Sequence, residues 1–286
     1  MVEVILGSEA LKQKRVTRGQ LRVRWFPVFP DTYIPRGTPP TLSIRTTGAW
    51  LWSGRRGVIT GRAAAALHGA RWVADDAPIE LLWKNSRPPS GIIARDERFN
   101  YDDVQELAGM AVATVERTAF DVARHLPLAI AVANLDALAS ATRLTAEMVA
   151  PLVDRHTGAR NIKRVREALE LIDAGSQSPK ETWLRLLIIR SHLFEKPQTQ
   201  IPVRDRDGYV FAYLDMGWRD RKIALEYDGD HHRTDRKQYV RDQWRIRELE
   251  RLGWIVIRVI AEDRPSAIVE RIREAFARRE TEARAA

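Results

Sequence analysis

The stretch YLDMGWRDRKIALEYDGDHH, residues 213–232, decides the fold expected for the C-terminal part of this chain. Apolar residues alternate on both sides of a short polar turn, which predicts two antiparallel strands. A two-residue turn at 219–220 would place Asp215, Glu226 and Asp228 together on one face of the hairpin. The opposite face would then hold the apolar residues Leu214, Met216, Ile223, Leu225 and Tyr227.

Three carboxylates on one face repel each other and lose hydration unless a cation lies among them. Hard divalent ions such as Mg²⁺, or Mn²⁺ in its place, take oxygen ligands of this kind. The pattern therefore predicts a metal site at Asp215, Glu226 and Asp228. The alternative for the same residues is a solvated acidic hairpin that ends in a turn at Asp228 and Gly229.

The segments on either side of the hairpin extend the pattern. The residues concerned are Ser178, Pro179, Glu181, Asp215, Glu226, Asp228, Gly229, His231 or His232, Asp242, Arg245, Gly253 and Trp254. Their order along a helix, three strands, a helix and a strand resembles the PD-(D/E)XK nuclease superfamily. More closely, it resembles the small domains related to very-short-patch mismatch-repair endonucleases. The resemblance covers about residues 176–275.

This resemblance implies a restriction-endonuclease-like mixed sheet flanked by helices, and metal-dependent hydrolysis of phosphodiester bonds in DNA. Asp215 and Glu226 would hold Mg²⁺, which lowers the pKa of bound water and neutralises charge on the phosphate. The superfamily typically has Lys where this chain has Asp228. Asp228 therefore either binds metal or leaves the proton transfer to His231 or His232, of which His231 is the favoured base. The same departure also allows a domain that has lost catalysis.

Five further residues near the hairpin have assigned or alternative roles. Lys222 and Arg233 could contact the phosphate of a nucleic acid. Glu181 completes a capping box at the start of a helix, or it leans toward the metal as a further catalytic carboxylate. Asp242 and Arg245 form a surface ion pair three residues apart, or Asp242 orients a histidine.

The length of 286 residues predicts two domains, which we place at 1–173 and 176–286 on either side of a short polar linker. The absence of cysteine excludes a disulfide framework and a cysteine-bound zinc. No apolar run is long enough to span a membrane, and the first residues lack a basic-then-apolar signal pattern. A cytoplasmic location is the expectation.

The net charge of +9 is concentrated at one end of the chain, with +8 in residues 1–90, −3 in 91–175 and +4 in 176–286. A basic N-terminal third is typical of proteins that bind the phosphate backbone of DNA. We expect four arginines there to contact DNA: Arg15, Arg18, Arg22 and Arg24. The alternative is that arginine content merely reflects codon bias.

Residues 8–24 predict two short helices, the second capped by Thr17, and a strand follows over 28–35. This order resembles a winged-helix fold over about residues 8–36. Farther along, Thr60 and Thr114 are expected to cap the helices that begin at Gly61 and Val115.

A second set of residues spans the N-terminal two thirds of the chain. They are Thr17, Gln20, Leu21, Tyr33, Pro35, Gly61, Ala64, Ala65, Leu67, His68, Gly69, Arg117, Thr118 and Asp121. Their order resembles AbiEi-type antitoxin regulators over roughly residues 10–170. The resemblance implies DNA binding at the front and a scaffold of helices and strands behind it.

These patterns predict an α/β chain, α+β overall, with a winged-helix-like and mixed N-terminal region before a restriction-endonuclease-like domain. The expected function is a metal-dependent DNA endonuclease targeted by its basic N-terminal region. The alternative is a DNA-binding regulator or antitoxin whose nuclease-like domain is silent. The expected partners are DNA and a cognate toxin or a repair protein, with no membrane.

Overall fold

The computed structural model describes residues 2–85, 87–228 and 236–285, with the backbone alone for 236–240. The chain divides into two compact units, 1–174 and 175–286. Each unit combines helices with antiparallel or mixed sheets, which confirms the predicted α+β class. Among the helices described, none is long and apolar enough to cross a membrane.

The first unit begins with a small three-stranded sheet and two short helices. These elements are β1 (Ile5–Leu6), α1 (Gly7–Lys12), α2 (Arg18–Arg24), β2 (Trp25–Phe29) and β3 (Thr32–Pro35). The strand order is β1-β3-β2, with both pairings antiparallel. The prediction of one strand over 28–35 is wrong. Pro30 has no N–H to give to a ladder and Asp31 adopts a left-handed φ of 60°, so the chain turns back here.

A five-stranded sheet forms the centre of this unit. Its region contains α3 (Leu42–Trp52), β4 (Val58–Thr60), α4 (Gly61–Leu67), β5 (Ile79–Leu82), β6 (Ile92–Arg95), β7 (Val104–Leu107) and β8 (Met110–Ala113). The strand order is β6-β5-β4-β8-β7, so β6 and β7 are the edges. Ile59, Ile79, Leu81 and Val112 are fully buried and form its core with the alanines of α4. The sequence patterns did not predict the hairpin of β7 and β8.

Four helices complete the first unit: α5 (Val115–His125), α6 (Leu128–Thr142), α7 (Ala146–Arg155) and α8 (Ile162–Glu170). Thr114 caps α5 as predicted, because its hydroxyl accepts the Arg117 N–H at 3.3 Å. Thr60 is the N-cap residue of α4, as predicted, but its side chain makes no capping hydrogen bond. Its hydroxyl donates to Asp121 at 2.6 Å, so it joins the start of α4 to α5.

The second unit follows the predicted order of a helix, three strands, a helix and a strand, and one further helix comes after them. Its elements are α9 (Pro179–Ser191), β9 (Gln198–Arg204), β10 (Val210–Trp218), β11 (Ile223–Tyr227), α10 (Arg236–Arg251), β12 (Ile255–Val259) and α11 (Pro265–Ala285). The sheet order is β12-β11-β10-β9, with only β11 and β12 parallel. Ile268, Ile272 and Ala275 of α11 are buried in the core, so this last helix supports the sheet.

The hairpin of β10 and β11 differs in two ways from its prediction. Its turn has four residues, 219–222, because Trp218 pairs with Ile223. Gly217 makes this close pairing possible, since a Cβ there would lie 2.1 Å from the Ile223 carbonyl oxygen. Compared with the predicted two-residue turn, the pairing of β11 with β10 is shifted by two residues. An even shift leaves the alternation of the β11 side chains between the two faces unchanged.

The second difference concerns the faces of β10. Leu214 was predicted to share a face with Met216, and this is wrong. Leu214 packs with Ala224 and Leu249, whereas Met216 packs in the core on the other side of the sheet. The neighbouring strand explains the change, because Gln200 has a left-handed φ of 48° at the level between these two residues. Asp215 therefore lies where β10 changes face.

Candidate functional site

The short helix α2 is the most exposed basic element of the first unit. It begins in a capping box, in which the Thr17 hydroxyl accepts the Gln20 N–H and the Gln20 side chain accepts the Thr17 N–H. None of its residues is buried, and Val23 is 64% exposed. A helix that leaves every side chain accessible contributes almost nothing to a core. Its sequence is therefore free to serve contacts with a partner.

Arg36 fixes the end of α2. Its guanidinium donates to the carbonyl oxygens of Val23 at 3.0 Å, Arg22 at 3.2 Å and Trp25 at 3.3 Å. These are the carbonyls that a helix end leaves without partners. The Arg36 N–H also donates to the Arg24 carbonyl oxygen at 2.8 Å. The helix and the hairpin of β2 and β3 are thereby held in one geometry.

The four arginines predicted to contact DNA do not have equal surroundings. Arg15 forms an ion pair with Glu3. Arg18, Arg22 and Arg24 are exposed on α2, and none of them has an ion pair within the described part of the chain. The structure thus offers three arginines with free charge at this surface. Their role as DNA contacts stays a prediction.

In the second unit, Asp215 is the carboxylate with the most perturbed protonation. Its side chain accepts the Tyr227 N–H at 2.9 Å. Burial raises the pKa of Asp215 to about 7, and the negative charges of Glu181 and Glu226 add to the rise. The hydrogen bond from Tyr227 acts in the opposite direction. Asp215 is therefore close enough to Glu181 and Glu226 for their charges to affect its protonation.

Glu226, at the end of β11, is clamped by Arg245 of α10. Arg245 Nη1 donates to one Glu226 oxygen at 3.1 Å, and Nη2 contacts the other oxygen. Nη2 also donates to the Tyr213 carbonyl oxygen at 3.1 Å. The interpretation of Asp242 and Arg245 as a surface ion pair did not foresee this contact, because it depends on how α10 packs against β11.

The other two predicted carboxylates have separate surroundings. Glu181 is nearly buried and accepts hydrogen bonds from the Ser178 hydroxyl at 2.9 Å and the Gln177 N–H at 2.8 Å. It thus serves the helix cap and still lies near Asp215. Asp228 is exposed just beyond β11, where its N–H donates to the Val259 carbonyl oxygen at 2.8 Å.

Of the predicted phosphate and proton-transfer groups, Lys222 is the one that the structure describes, and it is not brought to these carboxylates. Lys222 lies at the start of β11, at the opposite end of the strand from Glu226, and its ammonium group donates to the Leu252 carbonyl oxygen at 2.9 Å. His231 and Arg233 lie outside the described residues, as does His232.

One group of potential metal ligands in the described chain has all its ligand atoms within 4.8 Å of one another, and it lies in the first unit: Glu97, Asp121 and His125. Arg117, which is fully buried, donates to both oxygens of Asp121 at 3.0 Å. His125 and Arg124 contact Glu97 at 3.1 and 2.7 Å. Arg117 and Arg124 already neutralise the two carboxylates, so the donor set fits an internal ion-pair network and not a metal.

This network also sets protonation states. Burial alone would raise the pKa of Glu97, but the hydrogen bond with His125 and the charges of His125, Arg124 and Arg117 lower it to about 2. Burial raises the pKa of Asp121 despite Arg117 and the Thr60 hydroxyl. Arg117 also lies 3.6 Å from one carboxylate oxygen of Asp103, and Arg155 contacts the other oxygen at 2.7 Å.

Comparison with known proteins finds a family match within the first unit. Residues 57–171 match the family of AbiEi antitoxin C-terminal domains. The AbiEi resemblance predicted over residues 10–170 is confirmed for this part. Arg117 and Asp121, two residues that carried the resemblance, are the centre of the ion-pair network. The ion-pair network therefore lies within the matched residues.

Whole-chain relatives also exist. Two proteins of Mycobacterium tuberculosis, from strains CDC 1551 / Oshkosh and ATCC 25618 / H37Rv, are each 29% identical to this chain over 251 residues. Both are described as uncharacterized, and the alignment covers 87% of this chain and 89% of theirs. The similarity therefore extends over both units. No solved structure matches the chain.

Proposed function

We propose that this chain is a DNA-binding regulator of the antitoxin type, which contacts duplex DNA through residues 5–36. The observation that carries the proposal is the exposed helix α2, which is held at its end by Arg36. It presents Arg18, Arg22 and Arg24, which form no ion pair with the residues that the structure describes. Two short helices followed by a hairpin are the elements of a winged-helix reader. The AbiEi match in residues 57–171 supports the regulatory role.

The proposal extends to partner and location. A cognate toxin is the protein partner that the AbiEi match suggests, and a cytoplasmic location fits a chain that contains no cysteine. Neither is needed for the DNA-binding experiment below.

The experiment is fluorescence anisotropy of labelled duplex DNA with the full chain at several salt concentrations. The double variant Arg18→Gln/Arg22→Gln should lower affinity equally for unrelated sequences, and the slope of log K against log salt should fall by about 2. Arg166→Gln is the matched control, since Arg166 is exposed on α8 outside the proposed surface. Wild-type affinity and slope in the double variant would refute the proposal.

The second candidate function is the metal-dependent nuclease predicted from the sequence. The proximity of Glu181, Asp215 and Glu226, visible in the raised pKa of Asp215, favours it. The donor set does not fit a metal in the observed geometry. Glu226 accepts from Arg245, Asp215 from Tyr227, and Glu181 from its own helix cap. A carboxylate cluster satisfied by its own chain supports the regulator with a silent nuclease-like domain.

A direct assay separates the two candidates. The full chain is incubated with supercoiled plasmid or single-stranded DNA and Mg²⁺ or Mn²⁺, with Asp215→Ala as the control. Cleavage that the substitution abolishes would establish the nuclease. The regulator proposal predicts no difference between wild type and Asp215→Ala.

A further inference from the structure

The strand β7 forms a free edge of the five-stranded sheet. Its hairpin with β8 has the two-residue turn Ala108-Gly109, in which both residues have positive φ, 52° and 75°. In such a hairpin the residues that flank the turn exchange their hydrogen bonds, so Leu107 and Gln105 face β8. Val104 and Glu106 therefore direct their N–H and C=O groups away from the sheet. No strand pairs with this side within the described chain.

An apolar groove of about 410 Å³ runs beside this edge. Its apolar lining residues are Trp50, Phe99, Tyr101, Val104, Met110 and Ala111. Phe99 is 40% exposed and Tyr101 is 94% exposed. Proteins usually protect a free strand edge or avoid exposed aromatic groups beside it. An edge and an apolar groove together indicate a surface that another chain covers.

Trp50 gives a second and independent indication of a ligand. Its indole N–H is buried and has no hydrogen-bond acceptor among the described residues. A buried donor without an acceptor is unusual, because it loses its hydration with no compensation. Trp50 lines the groove, so a peptide bound there would lie beside this side chain.

The charges at the edge indicate the chemistry of the occupant. Asp102 and Glu106 are exposed along it, and Glu106 also lines the groove. A second copy of this chain would bring the same two carboxylates to the edge, and like charges that face each other across a strand pair are destabilising. A segment with lysine or arginine alternating with apolar residues would instead match both the charge and the groove.

We propose that β7 is a docking edge for an extended basic segment of a partner protein. The segment adds a strand to the sheet by bonding to the free groups of Val104 and Glu106. One of its apolar side chains fills the groove, while its basic side chains lie near Asp102 and Glu106. In this mode of recognition, main-chain hydrogen bonds supply the affinity, and every second side chain of the added segment supplies the specificity. It assigns a binding surface separate from α2 and does not depend on DNA binding.

The test uses the full chain and a short fluorescein-labelled peptide of alternating lysine and valine, with binding measured by anisotropy. Glu106→Pro removes an outward N–H and a charge without breaking a bond to β8, so the hairpin is retained. This substitution should lower the affinity for the peptide about tenfold or more. Glu106→Gln, which keeps the backbone N–H, should weaken binding by about threefold. Trp50→Phe, which keeps an aromatic side chain but removes the indole N–H, should weaken it by a similar factor. A peptide of glutamate and valine should not bind.

Three results would overturn the proposal. The first is no saturable binding of the basic peptide by the wild-type chain. The second is wild-type affinity for the peptide in Glu106→Pro, provided that its circular dichroism spectrum is unchanged. If Glu106→Pro does not fold, wild-type affinity in both Glu106→Gln and Trp50→Phe has the same meaning. The third is a wild-type dimer that Glu106→Pro or Glu106→Gln converts to monomer, which would assign the edge to a second copy. DNA affinity of the same variants should be unchanged, so a failure of the proposed DNA binding would be seen separately.

Discussion

Arg245 and Glu226 form a two-pronged ion pair between α10 and β11 at the centre of the carboxylate group. Both guanidinium Nη atoms contact the carboxylate, and the side chains are only 25% and 12% exposed. Clustered carboxylates need a nearby cation, and here the chain supplies one itself. Arg245 thus neutralises the residue that a metal would otherwise use.

Replacing Arg245 with methionine should expose this dependence. Glu226 would lose its counter-ion while it stays partly buried, so the free energy of unfolding should fall by about 3 kcal/mol. Added Mn²⁺ should then raise the urea midpoint of the variant and leave the wild type unchanged. Arg241→Met, at an exposed position of α10, is the matched control. Equal stabilisation of wild type and Arg245→Met by Mn²⁺ would contradict the role given to Arg245.

The protonation of Asp215 should make stability depend on pH. Its folded pKa of about 7 lies above the value of about 3.9 expected in the unfolded chain. Between these values the folded state binds more protons, so the free energy of unfolding contributed by Asp215 falls as pH rises. Asp215→Asn keeps an acceptor for the Tyr227 N–H and cannot ionise. Between pH 4 and pH 8, the free energy of unfolding of the variant should rise relative to that of wild type by on the order of 2 kcal/mol. A pH-independent difference in urea titrations would exclude an elevated pKa.

Arg117 should be among the most sensitive positions of the first unit. Arg117→Met would leave Asp121 and Glu97 without their shared cation in a buried setting, at a cost of about 4 kcal/mol. Arg117→Lys should recover part of this loss, since it keeps the charge but not the paired hydrogen bonds. Urea denaturation measures both. Arg166→Gln should change stability by about 0.5 kcal/mol or less, and a similar small effect for Arg117→Met would show that the network is dispensable.

Local sequence signals predicted much of the fold because they act over a few residues. Thr17, Thr114 and Ser178 are caps, and each is observed at the start of the expected helix. The alternation around Asp215 and Glu226 predicted the hairpin that holds them. These features depend on hydrogen bonds and periodicities that the sequence shows directly.

The features that the sequence did not predict depend on contacts between distant segments. The Thr60 hydroxyl bonds to Asp121, 61 residues away, instead of to its own helix. The Arg245 side chain finds Glu226 only when α10 packs on β11. The strand β7 is short and polar, and it becomes a strand because β8 pairs with it. Tertiary pairing overrides weak local preference in such segments.

The unequal surroundings of the N-terminal arginines give a prediction within the DNA-binding surface itself. Arg15 forms an ion pair with Glu3, whereas Arg18 of α2 is exposed and has no ion pair in the described chain. A phosphate contact by Arg15 would have to displace Glu3, so fewer counterions are released there. Arg18→Gln should therefore lower the slope of log K against log salt by about 1, and Arg15→Gln by much less.

Glu3→Gln tests the same reasoning from the opposite side, because it frees Arg15. Affinity should rise, and the salt slope should become steeper by up to about 1. Anisotropy titrations on one duplex at matched salt concentrations measure all three variants. Equal slopes for Arg15→Gln and Arg18→Gln would show that the Glu3 ion pair does not limit Arg15, and that both arginines neutralise phosphate alike.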